Sequence, residues 1–334
     1  MTKLFGTPFH ACNLEHNEAN QWVEKGAFTV PAHYGDAGGE ALAARVSAIL
    51  ADISHREDVR VHGEGAVALL WAAFAQDVGA LATGASLRVQ WCADGGGLRG
   101  RGTLHRFGDT NFLLRSTDAD VAWFAAAAPR FEAKLRLATA ERGLLLIEGP
   151  FALPVLAAAG LEAAASLAVG HHAICPWQGL SVALFRRADG HAYQLSCASE
   201  DGNAAFDRLW KRAPLFGLRL AGSIALETLQ LEQGIAAAGI DWQPARDGFA
   251  REPKPASFMG VVLDADEPAP FSPILHDGAE IGRTLRSAYS PALKRAIALA
   301  EVGDATPGTK VSVRHAEHGE KREIAARIVA LPFL

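Results

Sequence analysis

The chain has 334 residues, of which 49% are hydrophobic and 21% are charged, and it carries a net charge of −5. This is the composition of an ordinary globular protein, and the length allows two or three domains. The chain has a net negative charge and no run of basic residues, which argues against a nucleic-acid-binding surface. No apolar run approaches the ~20 residues of a membrane helix, and the first residues lack the apolar core of a signal peptide, so we expect a cytoplasmic protein without membrane contact.

The four cysteines are too scattered to form a shared site. None of them belongs to a CxxC pair, so the sequence indicates neither a zinc site nor a thioredoxin-type redox motif. We expect reduced thiols that pack as small apolar side chains, and no bound metal. The four are Cys12, Cys92, Cys175 and Cys197.

Short helices and short strands mix along the first 140 residues. Apolar residues at helical spacing predict helices at 38–50, 63–78 and 119–135. Alternation of apolar and polar residues predicts strands at 58–62, 87–91 and 112–115. Because helices and strands do not alternate strictly, the pattern favours an α+β fold over a doubly wound sheet.

The middle of the chain continues this mixture. A strand runs into a helix within 144–156, at Gly149-Pro150, since proline suits the first turn of a helix. A hairpin is predicted to join 181–186 to 192–197. Helices are predicted at 203–212 and near 221–238.

The composition changes at 241–257, a stretch rich in Pro, Arg, Asp and Gly that we interpret as the connection between two domains. Short strands separated by Gly and Pro turns follow it, which is the pattern of a small β-barrel. We therefore expect a mixed α/β domain of two subdomains over residues 1–245 and a β-barrel domain over residues 246–334.

Three segments carry a resemblance to a known family. Ala225 to Asp241, ALETLQLEQGIAAAGID, resembles the pterin-pocket helix of the glycine-cleavage T-protein (aminomethyltransferase) family, whose usual form is RDSLRLEAGLxLYGxDID. Ala51 to Leu70 is similar to the family's early motif xDVSHMGxVxVxGxDAxxxL, and Ile274 to Val302 is similar to its ending. The resemblance runs from about Thr7 to Leu334. It implies a folate-binding domain followed by a β-barrel, with tetrahydrofolate as the cofactor and a small molecule as the one-carbon donor.

The resemblance also implies which residues contact the folate. Glu232 stands at the family's pterin-binding glutamate, because a carboxylate can accept two hydrogen bonds from the neighbouring ring N–H and exocyclic amine of a pterin. Arg251 matches a folate-contacting arginine, with Arg246 as the alternative, because a guanidinium suits a carboxylate or a carbonyl group. Asp77 either contacts folate or caps a loop. Three further residues are pocket candidates by position: His105, Trp177 and Tyr193.

One departure concerns the family's catalytic acid. The usual NExGGILDD becomes CADGGGLRGRG at Cys92 to Gly102, and aligning the glycines puts Arg99 where a carboxylate is expected. Arg99 and Arg101 are catalytic candidates that would hold an anion; the alternative is that both are solvated. A different register would bring Asp94 to the site. His55, in a Ser-His-Arg triplet that matches the family's SHM, is either a third catalytic candidate, as a proton donor near neutral pH, or a packed strand-end residue.

These departures shape the expected function. An amine is a poor leaving group unless it is protonated, and a carboxylic acid assists that proton transfer. Without the acid, the chain is better suited to a donor whose leaving group departs unaided, such as a sulfonium, a quaternary ammonium or a halide. The sequence therefore predicts a tetrahydrofolate-dependent one-carbon transferase that acts as a demethylase or dehalogenase, not in glycine cleavage.

Two alternatives stay open. One is a folate-binding accessory protein of the iron–sulfur-assembly type, although the KGCYxGQE motif of those relatives is missing. The other is the folate subunit of a sarcosine-oxidase-like enzyme, whose flavin would come from a partner because the chain has no GxGxxG dinucleotide motif.

Overall fold

The computed structural model describes residues 4–74, 76–92, 98–117, 121–236, 258–303, 305–317 and 320–334. They form two compact units, the first ending at Ser223 and the second running from Ile224 to Leu334. The predicted domain boundary after residue 245 lies outside the described residues and stays a prediction. None of the described helices is long and apolar enough to cross a membrane.

The first unit opens with a small sheet, in which β1 and β2 flank β3, and continues through short helices and strands. Up to residue 116 its elements are β1 (Phe5–Gly6), α1 (His10–His16), β2 (Trp22–Lys25), β3 (Phe28–Pro31), α2 (Ala37–Val46), β4 (Ala48–Asp52), β5 (Glu57–His62), α3 (Ala66–Ala73), β6 (Ser86–Cys92), β7 (Leu98–Gly108) and β8 (Asn111–Ser116). From residue 121 they are α4 (Val121–Ala127), β9 (Lys134–Leu137), β10 (Arg142–Glu148), α5 (Ala152–Ala158), α6 (Ala163–Ser166), β11 (His172–Trp177), β12 (Leu180–Arg186), β13 (Ala192–Ala198), α7 (Gly202–Trp210), α8 (Ala213–Phe216) and β14 (Leu218–Leu220).

Six strands form the larger sheet of the first unit, in the order β11-β12-β13-β10-β4-β14. β10 is central and pairs antiparallel with β13 and β4, whereas β14 joins β4 in parallel. One face buries Leu145 and Leu195 in a core that includes Phe206 of α7. Each such side chain contributes about 1.5–3 kcal/mol on burial, so this core holds the helices on the sheet.

Five antiparallel strands form the second sheet, in the order β6-β7-β8-β5-β9. Alternation sends Val89, Leu104 and Leu114 into a core shared with α3 and α4. Gly100 faces this core as well, where a Cβ atom would collide with the ring of Trp91. The register between β6 and β7 shifts just before Gly100, between the pairs Cys92–Leu98 and Trp91–Gly100.

A buried ion pair links the two sheets. Arg115 of β8 contacts both carboxylate oxygens of Asp58 at 2.7 Å, and its remaining nitrogen donates to Gln194 of β13 at 2.8 Å. The Arg115 guanidinium also lies 4.5 Å from the ring centre of Phe185 in β12. Removing one partner of such a buried pair costs about 3–5 kcal/mol, so the pair fixes how the polar faces of the two sheets meet.

The second unit is a closed barrel of six antiparallel strands, ordered β15-β18-β17-β16-β19-β20, together with a helix that precedes it in the chain. A second apolar cluster, which includes Leu231, Leu285 and Leu299, packs the end of that helix on the barrel. The elements are α9 (Ser223–Glu232), β15 (Phe258–Leu263), β16 (Pro273–His276), β17 (Ala279–Ser290), β18 (Arg295–Val302), β19 (Lys310–Glu317) and β20 (Glu320–Val329).

The α+β class, the C-terminal barrel and the predicted hairpin are confirmed, but four predicted helices were too long. The helix predicted at 63–78 ends at Ala73, because Phe74 is extended and forms a β-bridge with Trp91. Residues 48–50 form part of β4, which lies between two strands and is buried on both faces. Its sequence therefore lacks the apolar–polar alternation of a half-exposed strand and resembles that of a buried helix. Residues 134–135 start β9. The helix near 221–238 ends at Glu232, because Gly234 takes a left-handed conformation with φ of +67° that terminates helices.

Candidate functional site

Glu232 is the last residue of α9, where the chain leaves the helix. The residue is 1% exposed, and Ser290 Oγ donates a 2.6 Å hydrogen bond to its Oε1. Phe333 N donates to the Glu232 carbonyl at 2.9 Å, so the end of the chain holds the end of the helix. The Glu232 carboxylate therefore lies in the protein interior with an O–H donor on one of its oxygens.

The turn between β4 and β5 carries His55 and Arg56, and hydrogen bonds to Asp52 hold it in place. The buried Asp52 carboxylate accepts hydrogen bonds from Ser54 N at 3.0 Å and Ser54 Oγ at 2.7 Å. Burial raises the pKa of Asp52, and its hydrogen bonds act in the opposite direction. The turn is therefore held in one geometry by charge-assisted bonds.

His55 is partly buried on this turn, and its Nδ1 is buried without a hydrogen-bond partner among the described residues. Burial, and then the charges of Arg56 and Lys25, lower the pKa of His55 to about 3. The imidazole is therefore neutral at physiological pH. It can orient a bound group by a hydrogen bond, but it carries no proton to give up as an imidazolium.

Arg99 and Arg101 lie on β7, with Gly100 between them. Both are partly buried. The register of β6 and β7 shifts beside Arg99, and its guanidinium lies 4.9 Å from the ring centre of Trp123, which packs against the Trp91 core. The two candidates thus sit on a strand rather than in a loop, and the contact with Trp123 directs Arg99 toward α4. Asp94, the alternative acid, lies outside the described residues.

The remaining folate candidates lie elsewhere in the first unit. Asp77 is exposed and accepts a 3.0 Å hydrogen bond from Gly79 N, so it caps a turn. Trp177 and Tyr193 belong to the hydrophobic core, and Trp177 Nε1 donates to a backbone carbonyl at 2.8 Å. Packing accounts for both rings, and neither enters the function proposed below. Arg251 and its alternative, Arg246, lie outside the described residues.

A pair of buried histidines lies where the two sheets meet. Ser86 Oγ is 2.7 Å from His105 Nδ1 and 3.4 Å from His172 Nδ1. Their rings pack on Phe185, and His105 Nε2 has no partner among the described residues. Burial lowers the pKa of His105 well below its usual range and lowers that of His172 to about 4; Arg115 acts in the same direction on both.

Family models match both parts of the chain. A model of the GCVT N-terminal domain covers residues 12–250, and a model of the glycine cleavage T-protein C-terminal barrel domain covers residues 257–334. The chain belongs to the glycine cleavage T-protein family. Members of this family are tetrahydrofolate-dependent transferases that handle one-carbon groups.

The aminomethyltransferase relatives are distant in sequence but match over nearly the whole of this chain and of their own. The aminomethyltransferases of Deinococcus deserti and Thermus thermophilus are each 27% identical, with 96% and 98% of both chains covered, respectively. The crystal structure of the glycine cleavage system aminomethyltransferase T from Bartonella henselae matches with a TM-score of 0.85 at 22% identity, covering 99% of this chain and 98% of that one. At this distance the structural likeness shows the fold.

The residues present in this family member fit tetrahydrofolate. Glu232 is a buried carboxylate at the end of the helix that carries the family motif, and a pterin presents two adjacent N–H donors to such a group. Two residues, one in each unit, were not predicted from the sequence as site residues. Ser290 lies 58 positions from Glu232, and no local pattern joins them. Arg56 had a visible signal, because it replaces the methionine of the family's SHM triplet.

The buried histidines predict that acid destabilises the protein. The pKa values of both histidines are lower in the folded protein than in the unfolded chain, so unfolding takes up protons below pH ~6.5. As the pH is lowered from there, the free energy of unfolding falls until the pH passes the folded pKa of His172, about 4. Replacing His172→Gln should reduce the loss between pH 7 and pH 4.5 by about 1–3 kcal/mol, as measured by urea unfolding. The exposed His62→Gln is the control, and an equal pH dependence in both variants would contradict the assignment.

Proposed function

We propose that this protein is a tetrahydrofolate-dependent one-carbon transferase that acts as a demethylase or dehalogenase, with Glu232 holding the pterin. The observation that carries the proposal is the burial of the Glu232 carboxylate at the end of α9, within the family's pterin motif. A buried carboxylate is costly unless N–H or O–H groups bind it. Ser290 supplies one such group. A pterin presents two adjacent N–H donors, which a carboxylate can accept as a pair.

The choice of donor rests on the charges near the start of β7. Residues Leu98 to Gly102 contain no carboxylate, and Arg99 and Arg101 bring two positive charges to this segment of the strand. Positive charge raises the cost of protonating a nearby amine, which is the step that an amine leaving group needs. A sulfonium or quaternary ammonium departs without that step. Positive charge also favours an anion, either the carboxylate of a donor or a halide that departs.

The chain's own contribution is then binding and positioning. When bound, tetrahydrofolate supplies N5, the nucleophilic nitrogen that takes up the carbon. Arg99 or Arg101 holds the donor's anionic group, and the neutral His55 offers a hydrogen bond that orients it. Fixing two reactants in this way, away from water, supplies a large part of the rate where the leaving group needs no acid.

The first test removes the pterin contact. Glu232→Gln keeps the shape of the side chain but places an amide N–H donor opposite an N–H donor of the pterin. Tetrahydrofolate binding should therefore weaken by ~2–4 kcal/mol, measured by calorimetry. The exposed Glu280→Gln in the same unit is the control and should bind as the wild type does. An unchanged affinity in a folded Glu232→Gln protein would overturn the assignment.

The second test concerns the reaction that the protein should lack. Incubation with an aminomethylated lipoyl carrier protein and tetrahydrofolate should release no ammonia above background, because the arginines at Arg99 and Arg101 take the place of the family's acid in the glycine-matched alignment. Ammonia release at an enzymatic rate would show that another acid, with Asp94 as the first candidate, serves this chemistry.

The third test addresses the arginines. At least one of Arg99→Ala and Arg101→Ala should lower turnover by ~10-fold or more, because a charge contact to the reacting group is worth a few kcal/mol. Tetrahydrofolate affinity should stay within about threefold, since neither residue serves the pterin. Arg88→Ala, an exposed arginine on the neighbouring strand β6, controls for surface charge. Normal turnover in both variants would remove these residues from the donor site.

A further inference from the structure

We propose that Arg56, supported by Arg187, forms a carboxylate-binding site in the first unit. This inference rests on the proposed function, because it assigns a residue that receives the anionic group of a reactant. Neither residue is among the arginines predicted from the sequence. The proposal starts from a guanidinium group that makes no hydrogen bond or ion pair with the described residues.

Arg56 makes no side-chain hydrogen bond or ion pair with the described residues, and its Nε is fully buried without an acceptor. Backbone hydrogen bonding accounts only for its main chain, where Arg56 N donates to Ile53 O at 3.0 Å. Arg56 is partly buried, and its Nε lacks both water and an acceptor, which is costly for a polar group. Arg56 therefore has an unmet need for an acceptor.

The neighbouring arginines have direct ion-pair partners, whereas Arg56 forms no direct pair with a described residue. Arg115 is bound to both oxygens of Asp58, and Arg187 lies 2.8 Å from Glu148 and 2.6 Å from Asp189. Burial, followed by the charges of Arg187 and Arg115, lowers the pKa of Arg56 to about 10. Arg56 is thus still cationic at neutral pH, with two other guanidinium groups close enough to raise the local positive potential.

The chemistry of the ligand follows from the donors. A guanidinium presents a flat fork of N–H groups that matches the two oxygens of a carboxylate. His55, the preceding residue, adds a neutral imidazole whose buried Nδ1 lacks a protein partner, and one tautomer would donate its Nδ1–H to the same anion. Asp58 and Glu148 nearby disfavour a highly charged anion such as a phosphate dianion, so a single carboxylate is the best match.

Two molecules in the proposed reaction carry carboxylates. One is the one-carbon donor, and the other is the glutamate tail of tetrahydrofolate. The shared chemistry is the same, and the experiment separates the two sources.

The test measures thermal unfolding with and without a simple carboxylate. Arg56→Gln removes an unpaired charge, so the ligand-free variant should unfold about 2–4 °C higher than the wild type. Sodium propionate should raise the wild-type midpoint more than propionamide does at equal ionic strength, and Arg56→Gln should weaken propionate binding by about tenfold or more. Arg56→Lys, which keeps the charge, should retain most of the propionate effect. The exposed Arg130→Gln is the matched control and should behave as the wild type.

A paired titration with tetrahydrofolate and tetrahydropteroate, which lacks the glutamate tail, identifies the source. If Arg56→Gln weakens the binding of tetrahydrofolate but not of tetrahydropteroate, the bound carboxylate is that of the glutamate tail. If it weakens the binding of neither while propionate binding is lost, the carboxylate belongs to the donor. The proposal is overturned if wild-type protein does not distinguish propionate from propionamide, or if Arg56→Gln binds propionate as the wild type does. The measurements with propionate contain no folate, so their result does not depend on whether Glu232→Gln changes folate binding.

Discussion

The first unit depends on one buried carboxylate. Asp52 ends β4 and accepts hydrogen bonds from Thr7 at 2.5 Å, from Asn13 at 2.7 Å and from the backbone and hydroxyl of Ser54. The same Ser54 hydroxyl accepts from Leu144 N of β10 at 3.0 Å. These bonds join the N-terminal helix, the central strand of the large sheet and the turn that leads to the second sheet. The carboxylate cannot be lost without leaving several buried donors unpaired, which is the costly outcome for polar groups in a protein interior.

The turn fixed in this way presents His55 and Arg56, and the linked sheets bring charged side chains to it. Arg115 and Asp58 satisfy each other, and Gln194 extends the contact to the large sheet. What remains is a neutral imidazole nitrogen and one guanidinium without a partner among the described residues. The first unit therefore combines a rigid scaffold with a small number of unsatisfied polar groups, which is the usual composition of a binding site. The barrel unit contributes a different group, the buried carboxylate of Glu232.

The sequence predicted the fold better than it predicted the site. The motif around Glu232 and the spacing of Gly and Pro turns identify the folate helix and the barrel, because both are local patterns. The sequence predicts the start of β4 as the end of a helix, because a strand that is covered on both faces lacks the alternation of apolar and polar residues. Ser290 and Arg56 could not be assigned to a site from local patterns, because their contacts arise only when distant segments pack. Asp77, which had two readings, caps a turn in the structure.

The central claim is that this protein moves a one-carbon group to tetrahydrofolate from a donor whose leaving group departs unaided. The most direct measurement is mass spectrometry of tetrahydrofolate recovered after incubation with the protein and sulfonium, quaternary ammonium or halide donors carrying a labelled carbon. The account predicts a labelled folate, one methyl or one methylene heavier, together with release of the demethylated or dehalogenated donor. Unlabelled tetrahydrofolate from every donor class, recovered from protein that binds the folate, would contradict it and favour a binding role without transfer.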